Sequence, residues 1–126
     1  MEIGNIKFKA KKTLDGKWIK GDLVHHRDSD NVWITDYENQ LTSPVVPFTI
    51  CQFTSEKDMN GKEIYTGDII SNLETGSVVE VVWNDRLKRL DCKILNGVNG
   101  AGVPLGIFVS RYKRIVVLMS KFDKEK

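Results

Sequence analysis

Cysteine and histidine are scarce, two of each in 126 residues, and that scarcity removes several kinds of chemistry at the outset. Cys51 and Cys92 are too few to staple a secreted scaffold and too far apart for a Cys-x-x-Cys metal or redox pair. Each lies in an apolar stretch, Thr49-Ile50-Cys51-Gln52-Phe53 and Leu90-Asp91-Cys92-Lys93-Ile94, so both read as structural thiols. His25 and His26 are adjacent, and neighbours on a strand face opposite ways, so the pair cannot chelate one ion. Nothing local positions His25 as a base for either cysteine. The sequence also lacks a Gly-x-x-x-x-Gly-Lys-Ser/Thr run and a strand-linked Gly-x-Gly-x-x-Gly run, the usual phosphate-cradling loops. No cofactor is therefore expected. No apolar run approaches the roughly 20 residues that cross a bilayer. The opening Met1-Glu2-Ile3-Gly4-Asn5-Ile6-Lys7 has no basic patch leading into an apolar stretch, so a cytoplasmic address and no membrane partner are expected.

What is present is ordinary globular composition, 40% hydrophobic and 29% charged, enough to build a core. β-branched and aromatic residues come in short alternating runs cut by Gly, Asn, Asp or Pro, the pattern of strands and turns. Ile6, Phe8 and Ala10 alternate with Lys7, Lys9 and Lys11, which predicts a lysine-guarded edge strand. Asp15-Gly16 predicts a hairpin turn into Trp18–His25, with a bend at Gly21. Val32–Thr35 follows, and Pro44 and Pro47 restrict their segment to an edge or a linker before Phe48–Phe53. Downstream, Asn60-Gly61, Thr75-Gly76 and Asn84-Asp85 predict turns between strands at Ile64–Ile70, Val78–Trp83 and Leu87–Leu95. Val103, Ile107–Val109 and Ile115–Met119 are expected as further strands, with a glycine-rich mobile loop over 96–104. Ser55 and Asp58 have capping-box-like spacing, which suggests a helical turn over Ser55–Asn60. The expectation is a mostly β protein, an amino-terminal β module (1–54) packed on a carboxyl-terminal small barrel of the SH3-like kind (55–126).

The most distinctive run is Gln52-Phe53-Thr54-Ser55-Glu56-Lys57-Asp58-Met59-Asn60-Gly61-Lys62-Glu63-Ile64-Tyr65-Thr66-Gly67-Asp68-Ile69-Ile70. It resembles the signature of the YopX family, small proteins encoded by bacteriophages and prophages, whose wording is Gln-Phe/Tyr-Thr-Gly-Leu-x-Asp-x-Asn-Gly-x-x-Ile-Tyr-x-Gly-Asp-Ile. Trp18-Ile19-Lys20-Gly21-Asp22-Leu23-Val24-His25 is similar to the family's weaker second mark. The matching positions are Gln52, Phe53, Asp58, Gly61, Ile64, Tyr65, Gly67 and Asp68. Ser55-Glu56 replaces the family's Gly-Leu, placing a charge where an apolar residue is usual. The resemblance implies a phage-type protein of no established biochemical activity.

Acids within the signature, Asp58, Glu63 and Asp68, are candidates either for a divalent-ion site or for turn capping, and the Asp-x-Asn-Gly and Gly-Asp contexts favour capping. The net charge of +2 implies no polyanion by itself, yet charge is segregated. Residues 56–85 carry two lysines against seven acids, and residues 86–115 carry seven basic groups against Asp91 alone. Arg86, Lys88, Arg89, Lys93, Arg111, Lys113 and Arg114, with Trp83, Phe108 and Tyr112 interleaved, make a candidate nucleic-acid or partner surface, since cations follow phosphates and rings stack on bases. The same alternation also suits a plain solvent face. The overall expectation is a non-enzymatic accessory protein that binds a protein partner or assembles with itself, with nucleic-acid binding as the alternative.

Overall fold

Short β-branched runs become strands in the computed structural model, which describes residues 3–96 and 102–124. The chain divides into two units, Met1–Phe53 and Thr54–Glu125. The first contains β1 (Phe8–Lys11), β2 (Trp18–His25), β3 (Val32–Asp36), β4 (Thr42–Val45) and the start of β5 (Cys51–Lys57). The second contains the rest of β5, then β6 (Glu63–Tyr65), β7 (Asp68–Asn72), β8 (Val78–Asn84), β9 (Arg89–Ile94), β10 (Val103–Pro104), the helix α1 (Leu105–Arg111) and β11 (Ile115–Ser120). The protein is mostly β, and its pairings are antiparallel.

In the first unit the order is β4-β3-β2-β1-β5. Its core gathers Ala10, Ile19, Val32, Ile34 and Val45 from alternating positions of four strands. The β1–β2 hairpin turns at Gly16, where Lys17 N–H donates to Asp15 Oδ1 at 2.9 Å. Gly21 is required by sheet packing: a Cβ there would lie 1.8 Å from the Thr35 carbonyl oxygen of β3. Pro44 sits on β4, the last strand of this order, with its carbonyl turned away from β3 to accept Thr13 N–H at 3.0 Å, so its missing N–H removes no bond of the β3–β4 ladder.

One expectation fails here. The lysine-bearing β1 is not an edge strand; it pairs with β2 on one side and β5 on the other. Its lysines fit because their ammonium groups reach aromatic faces. Lys9 Nζ lies 4.7 Å from the Trp18 ring centre, Lys11 Nζ lies 5.7 Å from the same ring, and Lys7 Nζ lies 4.7 Å from Phe53. Long aliphatic stems cover apolar surface while the charge keeps a favourable partner.

The second unit carries a five-stranded sheet in the order β10-β9-β8-β7-β11. Val79, Val81, Ile70, Cys92 and Ile115 project from one face of it, and Leu105 and Phe108 of α1 close over them with Ile64. α1 corrects the strand expected at Ile107–Val109. Leu105 and Phe108, three apart, bury on one side, and that packing outweighs the β preference of Ile107 and Val109. The helical turn expected over Ser55–Asn60 is also absent, because β5 runs on through Lys57. Ser55 itself holds φ at +72°, a left-handed angle at the position where the family's wording has glycine. The glycine-rich segment 97–101 lies outside the described residues, and Val103–Pro104 after it forms β10.

Candidate functional site

The signature residues are built into the frame of β5, β6 and β7. Asp58 follows β5 and is buried. Its Oδ1 accepts the backbone N–H groups of Asn60 and Lys62, both at 2.9 Å, and its Oδ2 accepts Val117 N–H of β11 at 3.0 Å. One carboxylate thus closes the Asn60-Gly61 turn and ties it to a strand 59 residues away in sequence. Gly61, at φ +80°, donates to the Asp58 carbonyl at 3.0 Å. Asp68, 1% exposed, accepts Tyr65 N–H at 2.8 Å. Between them Gly67 adopts φ +86°, which only glycine takes readily. Its N–H donates to Val81 O at 2.7 Å and its carbonyl accepts Lys121 N–H at 2.8 Å. Tyr65 is buried, with its hydroxyl donating to Glu63 Oε1 at 3.0 Å, and Ile64 is fully buried in the core. In the first unit Gln52 is exposed on β5 opposite Phe8, and Phe53 is buried beneath Lys7.

The two histidines serve their own unit: His25 Nε2 lies 3.1 Å from the Ser29 carbonyl, and His26 meets the Trp33 ring edge-on at 5.1 Å. Among the described residues no group of three His, Cys, Asp or Glu side chains is placed to hold a metal ion.

The basic residues do not converge. Ser71 lies opposite Val78 and Ile115 opposite Asn72, so the start of β8 and the start of β11 share one end of the sheet. Asn84 pairs with Arg89 at the far end of β8, about 20 Å away for a strand of this length. Arg86 and Lys88 stand exposed in the β8–β9 turn at that far end, whereas Arg111, Lys113 and Arg114 lie around the connection from α1 to β11. Arg89 is engaged: its Nε donates to Asp91 Oδ1 at 2.7 Å, and Asn84 Nδ2 donates to Asp91 Oδ2 at 2.8 Å. Lys93 is exposed at the position opposite Glu80, and the Glu80 carboxylate pairs with Lys121 at 3.4 Å. Trp83 is half exposed, with Nε1 donating to Asp85 at 2.9 Å. Phe108 and Tyr112 meet edge to face at 5.3 Å, and Phe108 is buried.

Sequence reasoning did not find a concave feature of this unit, a cavity of about 150 Å³ between the sheet and α1. Val79, Cys92 and Ile94 form its floor, Ile107, Phe108 and Tyr112 its roof, and Asn72, Ser77 and Arg111 its polar end. Burial, and then the charge of Asp91, push the Cys92 thiol up to about 12, so this wall is a neutral thiol. Asn72 is fully buried and its Oδ1 accepts Glu74 N–H at 2.9 Å, which fixes the oxygen and leaves Nδ2 with no partner among the described residues. Asparagine at a strand end before Leu73-Glu74-Thr75-Gly76 reads as a turn residue, and no local signal exposes the second half of its amide.

A family model described as YopX protein matches residues 7–113, most of the chain. Comparison with curated proteins gives no match.

Proposed function

Because this chain belongs to the YopX family, we propose that it is a phage- or prophage-type accessory protein that works by binding a partner or a further copy of itself, without catalysis. The observation that carries this reading is the commitment of two signature acids, Asp58 and Asp68, to backbone donors. Asp58 gives both oxygens to three N–H groups, and Asp68 gives one to Tyr65. Carboxylates so engaged are poor metal ligands or proton carriers, and they define a frame whose outer surface is left for recognition.

Thermal unfolding of the wild type, Asp58→Asn and Asp68→Asn, each with and without millimolar magnesium or calcium, tests it. Structural carboxylates lower the midpoint when replaced, by about 1–3 kcal/mol of stability each, and the wild type gains nothing from the ion. A midpoint raised by the ion in the wild type and not in the variants contradicts the reading, since binding to the folded state alone stabilises it.

Nucleic-acid binding stands second. It is favoured by Trp83, half exposed in the same hairpin as exposed Arg86 and Lys88, a ring and two cations at one tip.

A further inference from the structure

We propose that the cavity under α1 is a binding site for a small apolar monocarboxylate, a ligand class that gives the binding role above a chemical identity and rests on that reading. Its floor and roof are apolar: Val79, Cys92 and Ile94 below, Ile107 and Phe108 above. Its polar end presents donors. Asn72 Nδ2 is buried and has no partner among the described residues, while the oxygen of the same amide is held by Glu74 N–H. Thr75 Oγ1 donates to Ser77 Oγ at 3.0 Å, which leaves the Ser77 proton to donate onward. Arg111, the last residue of α1, adds a guanidinium at the same end.

A buried amide N–H without an acceptor is costly, and the remedy is an acceptor atom brought by a ligand. Two neutral donors and a guanidinium suit an anionic acceptor with two oxygens, which is a carboxylate. The thiol of Cys92 stays protonated at neutral pH, so it neither repels the anion nor attacks it. A volume of about 150 Å³ matches a body the size of a benzene ring. Benzoate and hexanoate are the probes that follow from these dimensions. The affinity expected of so few atoms is a Kd on the order of 1 mM.

Isotope-labelled full-length protein titrated with sodium benzoate, observed by two-dimensional NMR with the ligand signals recorded alongside, provides the test. The assignment requires saturable shifts at the Asn72 side-chain amide and at Val79, Cys92 and Ile107. Arg111→Gln, an exposed position outside the core, should weaken binding by about tenfold, and toluene, which lacks the acceptor, should bind the wild type more weakly than benzoate. Three results would overturn the assignment: no shifts well above the expected Kd, shifts spread over the β8–β9 turn and other basic residues, or toluene and benzoate bound equally by the wild type and Arg111→Gln. Chemical conversion of the ligand during titration contradicts the non-catalytic role instead, so the two failures are told apart.

Discussion

Asp58 shows how much a single side chain does in this chain. A carboxylate has room for about four hydrogen bonds, and Asp58 fills three of those places with backbone donors from its own turn and from β11. This role was legible in outline, because Asp-x-Asn-Gly is turn chemistry. The bond to Val117 was not, because it links positions 59 apart in sequence. Two residues earlier the family's apolar position is occupied by Glu56, half-buried, and burial raises its carboxyl above the ordinary range. A carboxyl raised on folding binds more protons in the folded chain than in the unfolded one. Stability therefore falls as pH climbs from the ordinary carboxylate range through the raised value. Glu56→Gln should flatten that part of the pH profile and raise the midpoint at neutral pH. A variant that melts below the wild type at neutral pH would show that the charge is favourable where it stands.

Elements were legible where local chemistry decides them and illegible where packing decides. Hairpins at Asp15-Gly16 and Asn60-Gly61 declare themselves through residues that take left-handed angles. Gly21 announced a bend, and the close approach of β3 supplies the reason for it. Gly21→Ala should cost about 3 kcal/mol, at the upper end for overpacking because the clash is with backbone. Urea unfolding with an unchanged midpoint would mean that β2 and β3 shift apart freely. α1 was hidden because Ile107 and Val109 favour strands, and only the burial of Leu105 and Phe108 against β8 and β9 makes seven residues helical. A lysine row marks an edge only when no ring is near, and Trp18 and Phe53 remove that condition for β1.

At the scale of the molecule, what mattered most was strand order, which sequence does not carry. Of the seven basic residues that crowd a 30-residue stretch, Arg86 and Lys88 stand at one end of the sheet and Arg111, Lys113 and Arg114 at the other, because β9 carries the chain along the length of β8 before α1 and β11 begin. The cavity has the same origin: Asn72, Cys92 and Arg111 are 20 and 19 residues apart in turn and meet only when α1 folds over the sheet. For any nucleic acid bound at the β8–β9 tip, two cations imply a slope of log K on log salt of about −2. That slope should be indifferent to neutralising Arg111, Lys113 and Arg114. A slope near −6, reduced by those substitutions, would require one continuous basic face.

Native-state hydrogen exchange of the wild type and Asp58→Asn bears most directly on the central claim, that the signature is a frame. Asparagine keeps one acceptor oxygen and turns an N–H group toward one former donor, so Val117 and its neighbours in the Asn60-Gly61 turn should lose protection, by about tenfold to a hundredfold for a loss of roughly 1.4–2.8 kcal/mol. Unchanged protection at Asn60, Lys62 and Val117, in a variant that melts like the wild type, would contradict the claim and return Asp58 to the candidates for chemistry.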